Sequence, residues 1–112
     1  MKFTKKNNIY RIIRITGRQD NILGICFSET NNNPIEVVAW DVKDGAKIQT
    51  SEDQVLKQVL SGLKEVNKSL GTNYQLSKIY FVPSDSASDS VYKLLIALLI
   101  RRYHNGNEFK EV

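Results

Sequence analysis

The segment from Lys78 to Gly106, KIYFVPSDSASDSVYKLLIALLIRRYHNG, limits the possible folds of this chain more than any other stretch. It sets a short apolar run, a Ser/Asp-rich turn and the most apolar helical stretch of the chain in direct succession. Ile79, Tyr80, Phe81 and Val82 are consecutive. An apolar run without alternation is the pattern of a strand that is central in a sheet or buried on both faces, and a strand is expected over 76–82. Pro83 has no amide hydrogen to give a ladder and ends it. Ser84, Ser86 and Ser88 are candidate N-caps, and Ser86 with Asp89 approximates a capping box. Asp85 and Asp89 both suit the positive end of a helix dipole. From Val91 to Ile100 only Lys93 is polar. Arg101 and Arg102 close the helix and Asn105-Gly106 stops it. Such a stretch falls short of the roughly 20 apolar residues that span a bilayer. A core helix is expected, with Phe81, Ile96 and Leu99 fully buried and no membrane contact.

The rest of the chain reads as what this unit packs against. Its 112 residues suit one domain with a real core. Residues 1–8 are polar and basic, the composition of a partly disordered start. Ile9 to Thr16 is rich in β-branched residues and predicts a strand. Arg11 and Arg14 fall out of phase in it, so neither face is cleanly apolar. A turn at 16–21, a second strand at 22–28, a loop at 29–34 and a third strand at 35–42 follow. Their short connections predict an antiparallel meander. In the third strand Trp40 alternates with Val38 and Val42, so it is expected in or beside the sheet core, with an exposed aromatic anchor for a partner as the alternative. Asp44-Gly45 is a turn signal leading to a short strand at 46–49. Ser51 with Gln54 fits a capping box, and Val55, Leu56, Val59, Leu60, Leu63, Val66 and Leu70 form one helical stripe. Gly62 interrupts that helix and suggests close packing; Gly71 stops it. The expected fold is mixed α+β in the order βββαβα. A three-stranded meander is extended by a parallel fourth strand, and two helices pack on the sheet.

This order has an electrostatic consequence. If the third and fourth strands are parallel, their C-terminal ends and both helix N-termini share one edge. That edge would carry Asp20, Asp41, Asp44, Glu52, Asp53, Asp85 and Asp89. The other edge would carry Lys2, Lys5, Lys6, Lys64, Lys68, Lys78, Arg101 and Arg102. Net charge is only +4. Polarity, rather than overall charge, is the feature to explain.

Chemistry is harder to find. The strand and helix order resembles the ribonuclease H-like fold, whose carboxylates gather two divalent metals for phosphoryl transfer. Asp85, just after the fourth strand, stands where that family often has an acid. The first strand, however, offers two arginines and no acid. Asp20 with Asp41-Val42-Lys43 is similar to a PD-(D/E)xK nuclease motif, but the helix that should lead that fold is missing. His104 has no Ser, Cys or acidic partner at a telling spacing. Cys26, the single cysteine, is expected as a small buried hydrophobe. No catalytic residue, metal site or cofactor is expected. Nor does an apolar leader follow the N-terminal lysines, so a cytoplasmic location is expected.

Two binding functions remain. Lys2, Lys5, Lys6, Arg11, Arg14 and Arg18 precede the first acidic residue, with Phe3 and Tyr10 among them. Cations interleaved with aromatics suit single-stranded nucleic acid, because bases stack while phosphates pair. In size, α/β character, Asn/Lys-rich composition and lack of a catalytic constellation, the whole chain resembles small immunity proteins. These belong to bacterial contact-dependent inhibition and related polymorphic toxin systems. The resemblance implies a cognate toxin domain, often a nuclease, held inactive in a tight complex. Many such inhibitors are acidic overall, so in this chain the acidic edge would have to do the binding. The expected partner-binding residues are Asp41, Asp44, Glu52, Asp53, Asp85 and Asp89.

Overall fold

The computed structural model describes residues 1–15, 20–30, 34–42, 44–85 and 90–112. The candidate caps Ser86 and Ser88, the acidic residue Asp89, and Arg18 and Lys43 lie outside the described residues. Strands β1 (Lys2–Lys6), β2 (Ile9–Ile15), β3 (Asp20–Ser28) and β4 (Glu36–Ala39) precede helix α1 (Glu52–Leu70). Strand β5 (Gln75–Phe81), helix α2 (Val91–His104) and the two-residue β6 (Lys110–Glu111) follow. The fold is mixed α+β, with one six-stranded sheet in the order β4-β5-β3-β2-β1-β6.

The meander is shorter at one end and longer at the other than the sequence predicts. The chain start is a strand: Lys6 pairs with Ile9 across Asn7 and Asn8, and Asn7 takes the left-handed φ of 55° that such a tight turn needs. Order there comes from tertiary contact, since Phe3 meets Phe109 edge-on at 5.9 Å. At the other end β4 does not join the meander. β5 inserts between β3 and β4, antiparallel to β3 and parallel to β4. The physical reason lies in the two sequences. β5 carries the apolar run and gains from neighbours on both sides, whereas Glu36 and Ala39 at the ends of β4 are exposed, as suits a sheet edge. No strand forms at 46–49. Instead Gln49 and Thr50 donate their amides to Pro83 O at 2.9 and 3.1 Å, pinning this segment to the exit of β5.

Side chains along a strand alternate between faces, and here one face is the core. Ile12, Leu23, Ile25, Ile79 and Phe81 are buried against Val55, Val59, Val66, Leu95, Ile96 and Leu99. The expected burial of Phe81, Ile96 and Leu99 is met. The α1 stripe is met too, except that Leu60 is exposed. Ser51 caps α1, accepting from Gln54 N, and Gly71 ends it at φ 68°. Gly62 is where the two helices meet: a Cβ there would stand 2.6 Å from Lys93 O and 2.5 Å from Ile96 Cγ2. For α2 the N-cap is Ser90, with no side-chain cap bond, and no acidic residue lies in its first turn. Gln58 Oε1 on α1 instead accepts from Tyr92 N at 2.9 Å. One orphan amide of the helix start is thus satisfied across the helix pair.

Candidate functional site

The structure brings most of the predicted acidic residues to one end of the sheet. β4 and β5 are parallel and end side by side, Ala39 opposite Phe81. β3 begins at that end, with Asp20 beside Ile15. Asp41 follows β4, and Asp44 lies in the loop that leaves this edge and returns to it at Thr50. Glu52 and Asp53 form the first turn of α1. Asp20, Asp41, Asp44, Glu52 and Asp53 are all exposed. None forms an ion pair with another described residue; the salt bridges present, Lys78–Glu36 and Lys93–Glu65, lie elsewhere.

Asp85 differs from the other acids of this edge. Its carboxylate accepts the Ile22 amide at 3.0 Å. It takes up an N–H just beyond the last β3–β5 pair, Leu23 with Phe81. Burial pushes its pKa up, the Ile22 bond opposes this, and the charge of Asp20 adds to it. Behind it Thr50 Oγ1 donates to Asp85 O at 2.8 Å. The fully buried Tyr92 phenol is pushed up by burial, with the Thr50 and Asn21 side chains pulling it back. Asp85 therefore holds together the end of the sheet. It is not part of the first turn of α2, which holds no acidic residue. Among the described residues no three His, Cys, Asp or Glu side chains gather as a metal site.

The basic residues divide differently from the sequence reading. Lys2 pairs with Ile13, which pairs with Ile22, so it lies toward the acidic end and not at the basic edge. Lys6 at the β1–β2 turn does lie at the opposite end. Phe3 and Tyr10, the aromatics proposed for base stacking, face the helices. Tyr10 packs edge-on to Tyr103 and Phe109 at 5.2 and 5.1 Å, with Lys5 over its ring at 5.1 Å. Arg102 lies 4.3 Å over Phe3. His104 joins this cluster through a 2.9 Å hydrogen bond between its Nδ1 and the Tyr74 hydroxyl.

Sequence reasoning missed the other face of the sheet. Trp40 does alternate with Val38, but on the face away from the helices. It stacks on Tyr80 at 5.4 Å with 21° between the rings. Gly24 makes this possible: a Cβ there would stand 2.9 Å from Trp40 Cη2. The signal was present in the lone glycine of β3, since glycine inside a strand often marks a close approach. In register across this face run Val38, Tyr80, Gly24, Arg11 and Thr4. Arg11 Nε donates to Thr4 Oγ1 at 3.0 Å. A groove of about 300 Å³ lies on one side of Trp40, lined by Arg11, Ile13, Ile22 and Val82. Another of about 220 Å³ lies on its other side, lined by Lys6, Asn7, Ile9 and Arg11. Cys26 is on this face and only half-buried, not enclosed as expected; burial still pushes its thiol up, against smaller pulls from Tyr80 and Lys78.

No helix among the described residues is long and apolar enough to cross a membrane. Comparison with protein-family models, with curated proteins and with solved structures finds no match to this chain.

Proposed function

We propose that this chain is a non-catalytic protein-binding module acting in the cytoplasm, and that its acidic edge holds the partner. We further propose that it works as a bacterial immunity protein does, neutralising a cognate toxin domain by forming a tight complex. One observation supports this reading most. Asp20, Asp41, Asp44, Glu52 and Asp53 stand exposed at one end of the sheet without an ion-pair partner among the described residues. Like charges held together repel, and a basic partner relieves that repulsion. A nuclease domain presents such a surface for phosphates, and clustered carboxylates can occupy it in place of substrate. Electrostatic complementarity of this kind speeds encounter and weakens as salt screens it. Asp85 supports the surface from behind by fixing the start of β3.

The experiment is to recover the tagged chain from its native host and identify what co-purifies. A basic protein at equal stoichiometry is the expected result, with the complex weakening at high salt. Recovery of the chain alone, or with nucleic acid only, contradicts the reading.

A further inference from the structure

We infer that the sheet face around Trp40, opposite α1 and α2, is a second site that adjoins the acidic edge at Asp41, and that it takes single-stranded nucleic acid. The inference goes beyond protein binding and rests on the arrangement of that face alone. Two of its features are complementary to a nucleic-acid strand. The stacked pair of Trp40 and Tyr80 presents π surface on the side of the sheet opposite α1 and α2. Beside it stand cations. Arg11 is the in-register neighbour of Gly24, over which the Trp40 ring lies. Adjacent strands are about 4.8 Å apart, so a base stacked on Trp40 would leave its phosphate within reach of the Arg11 guanidinium. Lys2 and Lys6 share the face of Arg11 by alternation along β1 and its pairing with β2. None of the three is in an ion pair with another described residue, whereas Lys78 on the same face is engaged with Glu36 at 3.9 Å. The two grooves flanking Trp40 both include Arg11, so each sets an apolar or polar recess beside the same cation. Stacking on aromatics with phosphate pairing alongside is how single strands are held without sequence readout. An acidic polypeptide would satisfy the cations but leave the stacked pair without a role.

The test is a titration of the full chain with a fluorescein-labelled oligothymidylate of about 12 nucleotides, within the span of such sites. Anisotropy and tryptophan emission are followed together. Trp40 is the sole tryptophan, so any quenching reports this face. The expected result is binding with Trp40 quenched. If three cations pair with phosphates, raising salt from about 50 to 200 mM should weaken affinity roughly 20-fold. Arg11→Gln and Lys6→Gln should each flatten the salt dependence. Trp40→Ala should lose roughly 5-fold or more in affinity. Trp40→Phe, which keeps a ring and serves if the alanine variant does not fold, should bind nearly as wild type. Three results would overturn the inference: no binding at low salt, binding without quenching of Trp40, or displacement by polyglutamate as effective as by unlabelled oligonucleotide. The last would make the face a site for acidic polypeptide.

Discussion

Asp85 and Gly62 are the two residues whose substitution separates structural from functional roles most sharply. Asp85→Ala leaves the Ile22 amide without its acceptor and should cost about 1–3 kcal/mol. Asp85→Asn keeps an oxygen acceptor, so it should cost less. The same pair tests the titration. Burial, with Asp20 adding, holds the Asp85 carboxyl above the usual aspartate range. The folded chain therefore binds that proton more tightly than the unfolded chain. Its contribution to stability is fully present below the ordinary aspartate pKa and is lost as pH rises through the raised one. Urea unfolding of wild type and Asp85→Asn across that window should show the wild type losing stability relative to the variant as pH rises. Parallel curves would contradict the assignment. Gly62→Ala sets two effects against each other. Alanine gains up to about 1 kcal/mol in helix propensity, but its Cβ would meet backbone of α2 at Lys93. Backbone cannot step aside as a flexible side chain can, and overpacking of this kind costs about 1–3 kcal/mol. Net destabilisation is expected in thermal unfolding; a rise in Tm would mean that the helices do not cross there.

The same reasoning extends to whole elements, where α2 carries the core. Leu99 is completely buried between the sheet and α1, and Leu99→Ala should cost about 2–5 kcal/mol. A loss below about 1 kcal/mol would mean that this face of the helix is open. This burial was legible because Leu94 to Ile100 in α2 and the run from Ile79 to Phe81 in β5 carry no charged or amide side chain to contradict it. The α1 boundaries were legible because Ser51 and Gly71 are local signals and act locally. Strand order was not. Nothing in the sequence of Glu36–Ala39 says whether its partner is β3 or β5. That choice is made by which strand gains more from two neighbours, a property of the whole sheet. The short β1 was hidden for a related reason, since Phe3 is its one large apolar residue and finds its partner at Phe109, near the end of the chain. For the site, the gathering of Asp41 and Asp85 followed from parallel β4 and β5, and that of Asp20 from the turn that opens β3 at the same end, so it could be read in advance. The role of Asp85 could not, because its bond to Ile22 joins residues far apart in sequence.

At the scale of the molecule, two surfaces of opposite character share one sheet. The acidic edge lies beyond the ends of β4 and β5. The Trp40 face lies across β5, β3 and β2 on the side opposite α1 and α2. They meet at Trp40 and Asp41, so a large partner at the edge would also approach the indole. The central claim is that the edge works through charge. Asp41, Asp44 and Asp53 are exposed and make no ion pair among the described residues, so they can be reversed with little structural cost beyond the helix-dipole term at Asp53, about 0.3–1 kcal/mol. Asp85 is left intact because the fold uses it. The most direct measurement is calorimetric titration of the co-purified partner with wild type and with Asp41→Lys/Asp44→Lys/Asp53→Lys, after circular dichroism has shown that the triple variant is folded. The account predicts a loss of affinity of tenfold or more, that is, about 1.4 kcal/mol or more, and a weaker salt dependence. A folded triple variant that binds with wild-type affinity would contradict it.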